Sequence, residues 1–179
     1  GQPFYWDWSA DDELIVTHVG GSSRSNPDAR IDLIRFRDGA PAAGRTLDHR
    51  PYVFQAPAVS PDGRWALVAL DTGTRGRTFV TEDGPSLALV DTESGDAGRI
   101  FPVRGATSFA WAPSGSLVAW VEGTPTRLGL VGSLRLLDLS DPDSPGRLPA
   151  DAADVLTFFW SPDAGRIATF VPRVTPGPR

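Results

Sequence analysis

The stretch VSPDGRWALVAL, residues 59–70, holds the local signals that decide the fold. Its Pro-Asp-Gly triplet predicts a tight turn, because proline presets the backbone angle, aspartate accepts bonds from turn amides and glycine adopts positive φ. The apolar run WALVAL after the turn predicts a β-strand. The stretch is therefore expected to form a β-hairpin with the residues before it.

The same pattern recurs at three other places in the chain. The other copies are WSADDELIVTHV from Trp8, WAPSGSLVAWV from Trp111 and WSPDAGRIATFV from Trp160. Their second residues are Ser9, Ser60, Ala112 and Ser161, which are 51, 52 and 49 residues apart. Such regular spacing indicates an internal repeat of about fifty residues.

The copies depart from the pattern at three turn positions. Asp12 replaces the turn glycine in the first copy, and Ser114 replaces the turn aspartate in the third. In the fourth copy Ala164 is interpreted as one extra residue, because it separates the Asp from the Gly.

Two further signatures follow each of the first three copies. One is an aliphatic strand, seen as IDLIRFRDG from Ile31, LALVDTESG from Leu87 and LRLLDLSD from Leu134; the other is a Gly-Arg pair at residues 44, 98 and 146. Each repeat thus holds four short antiparallel strands, which is the sequence pattern of a β-propeller blade. The chain is predicted to be all-β, with about fourteen strands and essentially no helix.

The hairpin motif, as VSPDGRWALVAL and WSPDAGRIATFV, resembles the repeat of TolB-type propellers and of the propellers that precede the hydrolase domain in prolyl oligopeptidase relatives. The resemblance covers essentially all 179 residues. It implies tryptophans packed between neighbouring blades. In the hydrolase relatives the catalytic serine lies in a separate α/β domain, so no catalytic residue is carried over to this sequence.

The repeats divide the chain into whole blades at 1–50, 51–105 and 106–153 and a half-blade at 154–179. Propellers have roughly 4–8 blades, so three and a half are not expected to close a ring. The sequence also has no Met, so residue 1 is expected to be an internal position of a longer protein. Further blades or self-association are expected to complete the ring.

Composition excludes several kinds of chemistry. There is no Cys, which excludes thiol catalysis and Cys-based metal sites, and all 17 basic residues are Arg, which excludes a catalytic lysine. The net charge of −5 and pI near 4.9 give no basic surface for nucleic acid. No apolar run approaches the roughly 20 residues needed for membrane insertion.

Motifs for catalysis or metal binding are not found. His18 and His49 fit no zinc pattern, His18 being interpreted as a strand residue at a blade surface, and no G-x-S-x-G elbow occurs. The acidic stretches DTESGD from Asp91 and DLSDPDS from Asp138 lack the bidentate Glu of an EF-hand and predict turns. No cofactor or metal is expected. A carboxylate pair for glycoside hydrolysis stays open, since its spacing is spatial.

Candidate binding residues lie on the first strands of the repeats. These strands are expected to line the channel, and the side chains that alternate with the packing Trp face either the channel or the neighbouring blade. Loops at residues 20–30 and 71–84 add recognition surface at one mouth. The residues predicted to bind at the channel or its mouth are Tyr5, Trp6, Gln55, Phe109 and Phe158.

These observations favour a non-catalytic propeller, similar to the TolB type, that binds a protein or peptide at its channel mouth. The alternative is the substrate-gating propeller of a prolyl-oligopeptidase-type serine hydrolase. Whether the protein is an enzyme stays open, with the non-catalytic interpretation favoured. The resemblance and the absence of thiols favour an extracytoplasmic location.

Overall fold

The computed structural model describes residues 3–52, 55–71, 86–102, 106–126, 129–140, 146–148 and 152–172. These ranges contain fourteen strands and no helix, which confirms the predicted all-β class. The strands are β1 (Phe4–Trp8), β2 (Leu14–Val19), β3 (Arg30–Arg37), β4 (Ala40–Thr46), β5 (Ala58–Val59), β6 (Trp65–Leu70), β7 (Ser86–Asp91), β8 (Ala97–Pro102), β9 (Ala106–Trp111), β10 (Leu117–Thr126), β11 (Gly129–Asp138), β12 (Gly146–Leu148), β13 (Thr157–Trp160) and β14 (Ile167–Phe170).

The strands form three four-stranded antiparallel sheets and one hairpin, each paired in sequence order. We call β1–β4 blade 1, β5–β8 blade 2, β9–β12 blade 3 and β13–β14 half-blade 4. The first strands contact one another in turn, β1 with β5, β5 with β9 and β9 with β13. They therefore lie innermost, as in a propeller.

The first hairpin of each serine-containing repeat is closed by the same side-chain bonds. The Ser60 hydroxyl donates to Asp62 Oδ1 at 2.5 Å and accepts from the Trp65 amide at 2.9 Å. Asp62 Oδ1 also accepts from the Arg64 amide at 3.1 Å. The same arrangement is built by Ser9 with Asp11 and by Ser161 with Asp163. The turn aspartate thus has the role predicted for it.

One residue of each turn has a positive φ: Asp12 (60°), Gly63 (69°), Gly115 (84°) and Ala164 (57°). The interpretation of Ala164 as an insertion is wrong. The Ser161 amide bonds the Arg166 carbonyl, five residues on, just as the Ser60 amide bonds that of Trp65. Ala164 occupies the position of the turn glycine, and the turn keeps its length because the backbone adopts the left-handed conformation there.

Consecutive blades pack face to face through three apolar clusters. Their members include Val16 and Val68 between blades 1 and 2, Leu89 and Trp120 between blades 2 and 3, and Val121 and Phe158 between blade 3 and half-blade 4. Trp111, which is 9% exposed, also donates from Nε1 to the Ala58 carbonyl of blade 2 at 3.0 Å. This confirms that the repeat tryptophan packs between blades where a preceding blade is present.

A glycine pair fixes the centre of blade 3. Gly123 of β10 lies opposite Gly132 of β11, and a Cβ on Gly132 would lie 2.0 Å from the Glu122 carbonyl oxygen. Gly132 also exchanges two backbone bonds with Val155, at 3.0 and 2.8 Å. These two bonds join blade 3 to the segment that leads into half-blade 4.

Candidate functional site

An open polar pocket of about 380 Å³ lies between the turn ends of blades 1 and 2. We call it the interblade pocket. The first turn of each blade and the last turn of blade 2 form its walls. The lining residues are Ser9, Asp11, Leu14, Arg35, Asp62, Gly63, Arg64, Asp91, Thr92 and Glu93.

Three of the four acidic side chains of the interblade pocket, those of Asp11, Asp62 and Asp91, accept hydrogen bonds within their own turns. The Ser9 hydroxyl and the Glu13 amide bond Asp11 and lower the pKa of its carboxyl. The amides of Ser94 and Glu93 bond Asp91 Oδ1 at 2.8 and 2.9 Å and lower the pKa of Asp91. Both groups are therefore ionised at neutral pH, in positions set by the backbone.

Two arginines complete the pocket, and one of them, Arg35, connects its walls. Arg35 of blade 1 donates from Nη2 to Thr92 Oγ1 of blade 2 at 3.3 Å, and the Thr92 hydroxyl donates to the Gly63 carbonyl at 2.8 Å. The Arg64 guanidinium lies over the Trp65 ring, 5.1 Å from its centroid. Four carboxylates against two guanidinium groups leave the lining net negative, which favours a cationic ligand.

Two of the predicted binding residues, Tyr5 and Gln55, come together at the other end of the first strands. They meet at His18, whose ring centroid lies 5.7 Å from that of Tyr5. His18 Nδ1 lies 2.8 Å from the Gln55 carbonyl oxygen, and Nε2 lies 2.7 Å from that of Gly21. Gln55 Oε1 is buried and has no hydrogen-bond partner among the described residues.

His18 is only 3% exposed, so its interpretation as a residue at a blade surface is wrong. Both ring nitrogens face backbone carbonyls, one in the loop after β2 and one before β5. The ring therefore ties these two segments together. No local motif predicts the contact with Gln55, because it spans 37 residues of sequence. The contact with the loop after β2 could have been expected from the Gly20-Gly21 pair, which allows the backbone to come close to a side chain.

The other three predicted binding residues occupy one repeat position, two residues before the repeat Trp. Phe109 is 7% exposed between blades 2 and 3, and Phe158 is 4% exposed between blade 3 and half-blade 4. Both are interblade core residues, so the binding surface described here does not include them. Trp6 is 53% exposed on the outer face of blade 1 and contacts Phe4, with centroids 5.5 Å apart.

One of the two loops predicted for recognition lies within the described residues. In the loop at 20–30, Arg24 forms an ion pair with Asp71 at 3.1 Å and lies over the Tyr52 ring at 4.7 Å. These contacts hold the loop against blade 2. In the other loop, residues 72–84 lie outside the described residues, as do residues 141–144 of the second acidic stretch.

Over the parts of the chain that the structure describes, no three His, Asp or Glu side chains are grouped so as to hold a metal ion. The same parts contain no helix long and apolar enough to cross a bilayer.

No protein-family model and no curated protein matches the chain. Several solved structures are similar to the chain. A chain in the crystal structure of a mitotic checkpoint complex has a TM-score of 0.60 at 16% identity, covering 93% of this chain and 47% of its own. The Cps50 (Swd1) β-propeller domain of Myceliophteria thermophila has a TM-score of 0.58 at 13% identity, and the match covers 94% of this chain and 48% of that domain. The Dos1 propeller has a TM-score of 0.58 at 13% identity, and the match covers 93% of this chain and 37% of the propeller.

At these identities the similarity shows the fold alone. The chain is part of a β-propeller, and it spans about half or less of the length of these neighbours. Four-stranded antiparallel blades, predicted from the repeat, are confirmed.

Proposed function

We propose that this propeller is a non-catalytic binding module that recognises a basic segment of a protein partner in the interblade pocket. The observation that supports the proposal is the pocket itself, in which turn-held carboxylates of two adjacent blades line a cavity of about 380 Å³. A cavity of this size is within the usual range for ligand sites and is large enough for an extended side chain.

The charge of the pocket supports a basic partner. Asp11, Asp62 and Asp91 are oriented by turn amides and hydroxyls before any ligand arrives. Preorganised carboxylates bind arginine or lysine side chains with little loss of conformational entropy. Arg35 and Arg64 contact Thr92 and the Trp65 ring, respectively, and their two positive charges offset only half of the four carboxylates in the lining.

The lowered pKa values of two carboxyls in the pocket support binding rather than proton transfer. A general acid at neutral pH needs a raised pKa, whereas the pKa values of Asp11 and Asp91 are lowered by their hydrogen bonds. One neighbouring propeller was solved within a mitotic checkpoint complex, which supports a protein as the class of partner.

The finer proposal is a TolB-like, extracytoplasmic propeller, supported by the VSPDGRWALVAL type of repeat. Its alternative is the gating propeller of a prolyl-oligopeptidase-type hydrolase. The gene distinguishes the two, since an encoded α/β domain with a G-x-S-x-G elbow would favour the hydrolase and a secretion signal with blades alone would favour the TolB-like protein.

The binding proposal is tested with a fluorescently labelled hexapeptide of alternating Arg and Gly, and with an Asp and Gly peptide as its acidic counterpart. Fluorescence anisotropy would compare the wild type with the double variant Asp62→Asn/Glu93→Gln. Losing one charge-assisted contact of about 1.4 kcal/mol weakens binding about tenfold, so the double variant should bind the basic peptide at least about tenfold more weakly.

Glu122→Gln is the matched control, because Glu122 belongs to blade 3 and pairs with Arg135 at 3.1 Å, outside the pocket. It should bind as the wild type does. The substitution Asp62→Asn keeps an acceptor oxygen for the turn bonds, and circular dichroism checks the fold of every variant. Equal weakening in control and pocket variant, or tighter binding of the acidic peptide, would contradict the proposal.

A further inference from the structure

The interblade pocket holds charges of both signs that do not pair with one another. Its two arginines, Arg35 and Arg64, share the cavity with four carboxylates. Within the described ranges, neither guanidinium forms an ion pair with a carboxylate. The one hydrogen bond that the two groups donate to described residues runs from Arg35 Nη2 to Thr92 Oγ1 at 3.3 Å. Most of their N–H donors are therefore available to a ligand.

The opposite charges are nevertheless close enough to act on one another. The pKa of Asp11 is lowered mainly by its turn hydrogen bonds and also by the charge of Arg35. The pKa of Asp91 is lowered mainly by its turn hydrogen bonds and also by the charge of Arg64. Each arginine thus lies within electrostatic reach of a fixed carboxylate without contacting it. Such a gap suits a ligand that carries a cation and an anion together.

Both arginines are oriented by uncharged neighbours. Arg35 is bonded to the Thr92 hydroxyl across the blade interface, and the Arg64 guanidinium lies over the Trp65 ring, 5.1 Å from its centroid. A guanidinium presents a planar fork of donors that matches a carboxylate in bidentate geometry. The pocket therefore offers partners for an anion beside its partners for a cation.

The two cations distinguish this pocket from the next blade interface. The repeat equivalents of Arg35 and Arg64 one blade later are Asp91 and Ser116, respectively. At the interface between blades 2 and 3 both positions therefore lack a positive charge. The mixed charge of the interblade pocket is not a general feature of the repeat.

We propose that the interblade pocket binds the carboxyl-terminal basic residue of its partner, an inference that rests on the proposed function. The cationic side chain lies among the turn carboxylates Asp11, Asp62 and Asp91. The α-carboxylate of the same residue accepts hydrogen bonds from Arg35 and Arg64. Capture of a terminal carboxylate is an established mode of peptide recognition, and an internal basic segment would supply only the cation.

Three peptides with an N-terminal fluorophore test the inference by anisotropy on the full 179-residue chain. The first is the hexapeptide of alternating Gly and Arg that ends in Arg with a free carboxylate. The second is its carboxamide, and the third has two more glycines before a free carboxylate. The first should bind at least about tenfold more tightly than either of the others, the effect of one charge-assisted bond.

Amidation separates this inference from simple charge attraction. The carboxamide carries one more net positive charge, so a net negative pocket that did not recognise the carboxylate would bind it more tightly than the acid. Equal binding of the three peptides, or tightest binding of the carboxamide, would overturn the inference and leave the proposed function in place. Failure of all three peptides to bind would overturn both.

Variants of the two arginines test which groups hold the carboxylate. Arg64→Gln and, separately, Arg35→Gln should each weaken binding of the acid at least about fivefold. The carboxamide should bind equally or more tightly, because the pocket becomes more negative. Arg37→Gln is the matched control, since Arg37 is exposed at the end of β3 and lies outside the pocket; it should keep the preference for the acid.

Circular dichroism checks the fold of each variant. Arg64 donates no hydrogen bond between blades within the described ranges, so its variant keeps the test valid even if the loss of the bond from Arg35 to Thr92 disturbs the structure. Equal weakening of the acid and the carboxamide by Arg64→Gln, or loss of the preference in Arg37→Gln, would overturn the inference.

Discussion

The Asp7 carboxylate accepts a hydrogen bond from the Val59 backbone amide at 2.8 Å, and this bond joins the innermost strands of blades 1 and 2. Burial raises the pKa of Asp7, although the Val59 and Trp8 amides partly oppose the shift. A charged group is thus kept between two blades at the cost of its hydration.

The substitution Asp7→Asn tests this balance. An Asn oxygen still accepts from Val59, but the Asn NH2 group cannot accept from the Trp8 amide, which bonds Asp7 Oδ1 at 3.0 Å, so the variant removes the buried charge together with one hydrogen bond. Because the folded-state pKa of Asp7 lies above its unfolded value, protonation removes the burial penalty as pH falls through the raised pKa. The free energy of unfolding of wild type relative to Asp7→Asn should therefore increase from pH 7 to about pH 4.

Urea denaturation of both proteins at several pH values gives this difference directly. Using the difference cancels the opposite contribution of carboxyls with lowered pKa values, such as Asp11 and Asp91, whose stabilisation is lost as pH falls. A difference that is constant, or that decreases toward acid pH, would show that Asp7 is not buried as an ionised group.

Replacement of Trp111 should separate packing from hydrogen bonding at the interface of blades 2 and 3. Trp111→Ala should cost about 3–5 kcal/mol, the range for a large buried aromatic. Trp111→Phe keeps most of the ring but loses the bond to the Ala58 carbonyl, and should cost about 1–3 kcal/mol. Denaturant melts measure both, and a loss below about 1 kcal/mol for Trp111→Ala would refute its anchoring role.

The left-handed turn residue offers a stabilising change. Ala164 has a φ of 57°, a conformation that costs a side-chain-bearing residue about 1–2 kcal/mol. Ala164→Gly should therefore raise the free energy of unfolding by about 1 kcal/mol. Gly63→Ala is the converse control, because its φ is 69° and its added Cβ would meet only Ser9 Cβ at 3.5 Å. It should destabilise by a similar amount, and thermal melts with the same sign for both changes would contradict the account.

The close approach of β10 and β11 predicts a severe effect of Gly132→Ala. The added Cβ would lie 2.0 Å from the Glu122 oxygen and 2.3 Å from the Gly123 Cα, so backbone must move. A loss of at least about 2 kcal/mol is expected from such overpacking. Gly44→Ala, in β4 with its nearest neighbour at 4.0 Å, should be nearly neutral. Comparable melting curves for the two variants would mean that the strands separate easily there.

Local chemistry explains what the sequence allowed us to predict. The hairpin bonds of Ser60, Asp62 and Trp65 lie within six residues, and the hairpin motif, which recurs four times along the chain together with the later strand signatures, identified four-stranded blades. The interpretation of Ala164 as an extra residue followed from aligning Gly165 with Gly63, which is the simplest match between the two copies. The backbone instead places Ala164 in the left-handed position.

The candidate site depends on contacts that no local pattern marks. Arg35 meets Thr92 across 57 residues of sequence, so the interblade pocket appears only once two blades are packed. The aromatic positions illustrate the same limit. Trp6 and Phe158 precede the repeat Trp identically, yet they are 53% and 4% exposed, because only the second is covered by a neighbouring blade.

Hydrogen–deuterium exchange read by mass spectrometry, with and without the saturating Arg and Gly hexapeptide, tests the binding proposal most directly. A ligand in the interblade pocket should slow amide exchange at residues 11–14, 62–65 and 91–94, which form its walls. Exchange in the loop at 20–30, which lies at the opposite end of blade 1, should be unchanged. Protection confined to that loop, or absent from all three wall segments at saturation, would contradict the assignment of the pocket as the recognition site.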